Sequence, residues 1–420
     1  MPQPATSHAT TAPLTPSARR APRSGGYAER TFLGLLDRSV VGSAVRFIVR
    51  GEDVWVGTAG HEGAPAVRIN DTRFFARVLS GGNLGLGESY MDGDWDMVDG
   101  DIPDLLIVLL RARLDQKVKG NAATAMKVAR VQIANLFRGM HWRNAQFHYD
   151  LGDEVFESFL DPVTMMYSCG YAKTPEDPIE QLQINKLDRI CRKLEIRPGD
   201  RVLDIGCGFG GMLMHAARYY GAVGVGITTS RRHCERGNQR LAEAGLGDRV
   251  QLELRDHRTV TGTFDRVVSI GMFEHLPRKE YDRFFERVAA VLPADGRGLL
   301  HVVGANAPKS VHDPFIQKYA LPGTGTPKLS ELAHRCEQNG LAIHDVENMV
   351  RHYTYTARAW LQRFRANKHL LNQKKYDGRF QRMFEYYLSC ATAGAWASDA
   401  TVYQLLFARD YAAPMALHRV

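Results

Sequence analysis

The chain predicts an α/β protein, with a mostly parallel, Rossmann-like sheet covered by helices and a smaller N-terminal α+β domain before it. Two observations carry this. After Phe147, short apolar runs alternate with helix-like segments, the rhythm of repeated βα units. The first of those runs ends in a dense glycine turn, Gly206-Cys207-Gly208-Phe209-Gly210-Gly211, which opens a helix. A chain of 420 residues suits two domains. The expected division is a basic disordered tail over 1–26, an N-terminal lipid- and membrane-associated domain over 27–142, and a catalytic domain over 143–420.

Residues 1–26 are rich in Ala, Pro, Ser and Thr without apolar period and carry Arg19, Arg20 and Arg23. They read as a flexible basic arm, although a transit peptide has a similar composition. Ala44–Val49 and Ala66–Ile69 predict short strands. Asn83–Asp96 (NLGLGESYMDGDWD) is rich in Gly and Asp and predicts a structured loop. Ile102–Gln116 predicts an apolar helix with Pro103 in its first turn. Ala122–Trp142 predicts an amphipathic helix, with Met126, Ile133, Leu136 and Phe137 on one face and Lys127, Arg130 and Arg138 elsewhere. It reads as packing on its own domain with a solvated basic edge; the sharper reading is a surface that touches an anionic bilayer. Beyond it, RVLDIG, AVGVGIT, VQLELR, RVVSIG and GLLHVVG predict strands. Met212–Tyr220, Arg231–Ala244 and Tyr281–Val291 predict helices between them.

Composition narrows the class. Hydrophobic residues make up 44% and charged residues 24%, the mix of a soluble globular chain. No apolar stretch is long enough to span a bilayer. The six cysteines form no C-x-x-C pair, so a reducing, cytoplasmic setting is expected. The net charge of +8 suits an anionic partner. With no zinc spacing, RNA-binding signature or long basic run, nucleic acid is not the expected one.

The glycine turn identifies a cofactor class. Gly206, Gly208 and Gly211 satisfy G-x-G-x-x-G, the dinucleotide fingerprint. That fingerprint wants an acid about 20 residues further on, where this chain has Gly226-Ile227-Thr228-Thr229. Asp204, two residues before the first glycine, instead matches the D-x-G-x-G of S-adenosylmethionine enzymes, with Gly206 and Gly208 as its glycines and Gly210 beyond. Asp256, just past the third strand, is a candidate for the adenine end, or an ordinary surface acid.

Six strings then resemble one family: HYDLGDEVFESFLD (148–161), MYSCGYA (166–172), VLDIGCGFGG (202–211), SIGMFEHL (269–276), LLHVVG (299–304) and HYTYTARAW (352–360). In order and spacing they resemble the cyclopropane-fatty-acid-phospholipid synthases, which are related to the mycolic acid cyclopropane synthases. The likeness runs from about Ala66 to the C-terminus, and the Asn83–Asp96 string favours the phospholipid branch. It implies a class I S-adenosylmethionine methyltransferase sheet with a helical lid over an acyl tunnel, and a bicarbonate ion beside the transferred methyl group. It implies that Cys169, Glu274, His301, Tyr353 and the backbone of Val303 form the ion site. It implies that Tyr167, Ser168 and Gly206 face the methionine part of the cofactor and that Thr228 belongs to the cofactor site. His233 stands where relatives often have glutamine, Gly394–Ala400 (GAWASDA) lacks a common arginine, and Ile316–Pro327 is unusual for the lid loop.

The implied chemistry suits these residue types. An alkene is a weak nucleophile, so alkylation by a sulfonium methyl depends on alignment in a dry site. The cation formed loses a proton from the new methyl group to close the ring, which calls for a general base. A tyrosine ring can face that cation. Taken singly, Cys169 also reads as a buried small residue, Glu274 as a strand-end cap and His301 as a satisfied core histidine. The expected reaction is cyclopropane formation on an unsaturated phospholipid acyl chain at an anionic membrane surface, with the enzyme peripheral to the inner membrane. The alternatives are C-methylation to a methylene- or 10-methyl-branched chain, with a reductase partner for the latter, and a non-catalytic cofactor- and membrane-binding protein. The resemblance also allows a homodimer.

Overall fold

The computed structural model describes residues 25–60, 62–113, 151–306 and 313–410. The tail over 1–24, the helix expected over Ala122–Trp142, the boundary at 142–143 and the first residues of the 148–161 string lie outside them.

The N-terminal elements are α1 (Tyr27–Ser39), β1 (Ala44–Val49), β2 (Glu52–Gly57), β3 (Ala66–Ile69), α2 (Arg73–Met91), β4 (Trp95–Asp99) and α3 (Ile102–Arg111). β1 and β3 fall where the sequence placed them. They belong to a four-stranded sheet ordered β2-β1-β3-β4, in which β1 and β3 run parallel and both outer pairings are antiparallel. The Asp101 side chain accepts from the Ile102 N–H and so caps α3, with Pro103 in the first turn.

The loop expected over Asn83–Asp96 is instead the second half of α2 followed by β4. Gly82, at φ +55°, kinks the helix. The glycines beyond it serve contact rather than turning. A Cβ on Gly85 would lie 2.1 Å from the Arg77 carbonyl oxygen, and one on Gly87 2.3 Å from the Phe315 ring and 2.7 Å from Tyr386. Trp95 is fully buried, donates its indole N–H to the Leu86 carbonyl and packs on Tyr90. Gly87→Ala is therefore expected to cost about 1–3 kcal/mol by overpacking. A denaturant midpoint equal to the parent's would contradict this contact.

The second sheet is built from β5 (Arg201–Ile205), β6 (Val223–Thr228), β7 (Val250–Leu254), β8 (Arg266–Ile270), β9 (Arg297–Ala305), β10 (Ala342–Asn348) and β11 (Ala400–Ala408). Their order is β10-β11-β9-β8-β5-β6-β7. β11 is antiparallel to both neighbours, and the pairings from β9 through β7 are parallel. The five strands expected from apolar runs are all present; β10 and β11 were not anticipated. The helices around this sheet include α4 (Asp153–Phe159), α5 (Ile179–Lys193), α6 (Gly211–Tyr220), α7 (Arg231–Glu243), α8 (Tyr281–Val291) and α9 (Leu329–Gln338). Strand order reverses between β5 and β8, which places a ligand crevice at their carboxyl ends.

Two long helices, α10 (Val350–Asn367) and α11 (Gly378–Ala397), pack on each other, and α11 also packs on α2 and α3. One apolar core runs from Phe32, Phe74 and Trp95 to Trp360, Phe384 and Tyr386. Polar ties cross the same seam. Arg365 bonds both oxygens of Asp101 at 2.6 and 2.8 Å and Glu385 at 2.7 Å. Arg382 bonds Asp96 at 2.8 Å and lies over the Tyr90 ring.

Candidate active site

The crevice begins at the end of β5. Gly206, Gly208 and Gly210 hold φ of +85°, +52° and +80°, a region that glycine enters without strain. Closeness also matters here: a Cβ on Gly206 would lie 2.4 Å from Met272 Cγ, and one on Gly211 2.2 Å from the Thr164 carbonyl oxygen. The turn therefore presents bare backbone between two packed segments and leads into α6. Asp204 lies just beneath it and is 2% exposed. Its Oδ1 has no hydrogen-bond partner among the described residues. Burial pushes its carboxyl up to about 7, against the charge of Lys186.

Thr228 ends β6, buried, with its hydroxyl accepting from the Ser230 N–H. Asp256 follows β7 and caps a short turn. Its carboxylate already accepts from the Arg258 backbone and guanidinium, the latter at 2.7 and 2.8 Å. Burial opposes its ionisation, but those bonds outweigh burial and keep it below the usual carboxylate range. His233, where relatives often have glutamine, is buried against Phe209, ring centres 4.3 Å apart, and burial lowers it to about 3. Its ring is therefore neutral near pH 7.

The loop after α4 carries Tyr167, Ser168 and Cys169. Asp161 shapes it by accepting from the Thr164 N–H and hydroxyl at 2.6 and 2.7 Å. Tyr167 packs among Phe159 and Trp360, and its hydroxyl meets that of Tyr387 at 2.5 Å. Gln183 of α5 donates to the Ser168 carbonyl, and Lys186 donates to the Ser168 hydroxyl. Gly271, at the mouth of β8, is the meeting point. A Cβ there would lie 3.5 Å from Ser168 Cβ, 3.6 Å from the Tyr167 carbonyl oxygen and 3.8 Å from Glu274 Oε1.

Glu274 sits on the turn after β8. β8 pairs with β9 only as far as Ile270 opposite His301, so the Val303 N–H lies beyond the end of that strand. It donates to Glu274 Oε1 at 3.4 Å, while Oε2 has no partner among the described residues. Burial pushes the Glu274 carboxyl up to about 7 against that backbone bond and another. His301 is 1% exposed; its Nδ1 faces Gln404 Nε2 of β11 at 3.2 Å, and its Nε2 has no partner. Burial holds it well below its ordinary value, hence neutral. With the Gln404 amide donating to Nδ1, the tautomer is assigned with the proton on Nε2.

Tyr353, in the first turn of α10, packs with Cys169, Met349, Val402 and Val303. Burial and the nearby Tyr387, Cys169 and Glu274 hold its hydroxyl well above the usual phenol value. Burial likewise raises the Cys169 thiol, whose contacts are the Gly170 and Met349 carbonyls. It is a buried, neutral thiol, which does not suit a covalent nucleophile.

Cys169, Glu274, Val303 and Tyr353 are thus brought together, with His301 two residues before Val303 on β9. The sequence reading passed over Lys186, Gln183, Tyr387 and Gln404. Two had a signal. Lys186 lies four residues after Leu182 and four before Ile190, on the buried stripe of its helix. Gln404 interrupts the apolar run ATVYQLLFA.

The strand order, with a single antiparallel strand inserted beside the parallel core, and the glycine turn over Asp204 define a class I S-adenosylmethionine-dependent methyltransferase fold. Within it, the chain belongs to the mycolic acid cyclopropane synthetase family, whose model matches residues 138–405. It is 38% identical over 356 residues to the cyclopropane-fatty-acyl-phospholipid synthase of Escherichia coli strain K12, covering 84% of this chain and 90% of that one. It is 32% identical over 264 residues to cyclopropane mycolic acid synthase 1 of Mycobacterium tuberculosis, covering 60% of this chain and 92% of that one. The solved mycolic acid cyclopropane synthase CmaA1 complexed with SAH and CTAB matches with a TM-score of 0.60 and 30% identity, covering 64% of this chain and 98% of that one.

Proposed function

We propose that this protein transfers a methylene unit from S-adenosylmethionine to the double bond of an unsaturated phospholipid acyl chain and forms a cyclopropane ring. The observation that carries this reading is the buried pair Glu274 and His301. Each keeps an unpartnered polar atom, Oε2 and Nε2; Glu274, on the turn after β8, acts on the Tyr353 hydroxyl and accepts from Val303, two residues beyond His301 on β9. The likeness to the phospholipid enzyme over nearly its whole length favours that branch.

The donor set fits a small protonated oxyanion such as bicarbonate. His301 Nε2–H and the Tyr353 O–H donate, and Glu274 Oε2 accepts. When bound there, bicarbonate supplies the base for the proton lost from the transferred methyl group. Glu274 and His301 hold that base in place, and Gln404 fixes the His301 tautomer. Tyr167, Ser168, Asp204, Gly206, Gly208, Gly210 and Thr228 line the cofactor side. Asp256, engaged by Arg258, reaches an adenine only if that pairing is shared. Trp360, Phe159 and Tyr167 pack the lid side and keep water from the alkene.

The reading places the enzyme in the cytoplasm at the face of an anionic membrane, which the charge of +8 supports. No helix among the described residues is long and apolar enough to cross a membrane. Mass spectrometry of membrane lipids from cells expressing this chain and fed oleate tests the reaction. The expected result is one added CH₂ on monounsaturated chains, resolved by NMR as a ring. A methylene or methyl branch would replace ring closure with C-methylation. Unchanged lipids from a protein that binds S-adenosylhomocysteine would refute the acceptor.

A further inference from the structure

Lys186 of α5 has no exposed surface. An ammonium has three donors and no acceptor, yet its one recorded hydrogen bond is to Ser168 Oγ, at 2.9 Å. No carboxylate lies within ion-pairing distance of it among the described residues. Burial lowers its pKa to about 7, against the raising effect of nearby Cys169, Asp161 and Asp204, and it in turn acts on His301. Taking a lysine this far from water without a paired acid is costly, so its gain has to come from elsewhere.

The direction of the hydrogen bond shows where. In its ammonium form, which a bound carboxylate favours, Lys186 can only donate, so Ser168 Oγ is the acceptor and the serine keeps its own proton for another group. No protein acceptor for that proton is recorded among the described residues. Ser168 Cβ faces the mouth of β8 at Gly271, across from the glycine turn. Below the turn, Asp204 Oδ1 is buried and unpartnered. The crevice therefore holds a serine donor backed by Lys186 and, beneath the glycine turn, a buried carboxyl with an unpartnered oxygen. That polarity matches a zwitterionic amino-acid group, with its carboxylate toward Ser168 and its ammonium toward Asp204.

We infer that Lys186 is a positioning residue, which fixes the Ser168 hydroxyl as a donor to the carboxylate of S-adenosylmethionine and adds positive charge behind that bond. This rests on the reading that Tyr167 and Ser168 face the methionine part of the cofactor.

The test compares two ligands by calorimetry, S-adenosylhomocysteine and 5′-methylthioadenosine, which lacks the amino-acid end. Lys186→Met keeps the stem and removes the charge, and such a swap at a buried site is often neutral or stabilising. The expected result is unchanged or raised Tm, S-adenosylhomocysteine bound about tenfold or more weakly, and methylthioadenosine bound as by the parent. Ser168→Ala should weaken the first ligand in the same way, and the double variant little further, because the lysine acts through the serine. Lys186→Gln repeats the comparison if the methionine variant does not fold. Equal loss for both ligands would make Lys186 merely structural and overturn the inference. So would an unchanged S-adenosylhomocysteine affinity in Lys186→Met. If Ser168→Ala weakens binding and Lys186→Met does not, only the role of the lysine falls. If Ser168→Ala leaves binding intact, the reading of Ser168 falls with it.

Discussion

Glu274→Gln is expected to lose about three orders of magnitude in turnover, the scale of a removed acid–base arrangement, while S-adenosylhomocysteine affinity stays close to the parent's. On the proposed reading the carboxyl holds the base, and its backbone hydrogen bonds among the described residues come from Val303 and its own N–H, not from the glycine turn. Glutamine keeps the shape and an oxygen for the Val303 N–H, but its amide NH2 then stands at Oε2, a donor where the carboxylate accepts. The same substitution should raise stability. Burial lifts Glu274 from an ordinary value of 4.5 to about 7, so the folded state holds this proton more tightly than the unfolded state does. Below about pH 4.5 both states are protonated and the residue costs nothing. The cost grows as pH rises to about 7 and is constant above, on the order of 3 kcal/mol. The glutamine variant should therefore be more stable than the parent near pH 8, with the gap closing near pH 4.5. Asp204, which is also pushed up to about 7, is common to both proteins and cancels. Denaturant midpoints at the two pH values read the gap, and a single-turnover assay reads the chemistry. Parent-like turnover in this variant would remove Glu274 from the mechanism.

Gly206→Ala is expected to abolish cofactor binding by two separable effects. The backbone at φ +85° is strained for alanine. The new methyl group would also fall 2.4–2.5 Å from Met272 Cγ and Cβ, atoms too near the backbone to swing aside. Together these cost about 1–3 kcal/mol of stability and displace the turn from the ligand. Met272→Gly in the same chain removes both overlapping atoms and leaves the strain, so it should restore stability in part and affinity less. Calorimetric titration of S-adenosylhomocysteine with the single and double variants separates the two. An unchanged affinity in Gly206→Ala would show that the cofactor does not approach this turn.

Much of the fold was legible because of how burial writes itself into a chain. β5, β6, β8 and β9 lie within the sheet, and strands buried on both faces read as apolar runs, while β7, at an edge, still alternates Val250, Leu252 and Leu254 with polar residues. β10 carries His344, Asp345 and Glu347 and lies at an edge, so it has no such run. β11 has the run, but lies after a long helical stretch where no βα alternation points to it. The Asn83–Asp96 segment failed for a different reason. Glycine there has the local signature of a turn, but Phe315, Tyr386 and the Arg77 carbonyl need the space a side chain would take.

The site divides in the same way. By itself the sequence determined the cofactor class, through Asp204 and its glycines, and the residue types available for chemistry at Cys169, Glu274, His301 and Tyr353. Those signals are local, since a strand-to-helix turn is built from consecutive residues. Tertiary structure alone decided which polar atoms are left without partners, that Gln404 faces His301 Nδ1, and that Lys186 stands behind Ser168. These depend on strands and helices far apart in the chain meeting around a dry crevice, where burial sets both the charge of each group and the partner it still requires.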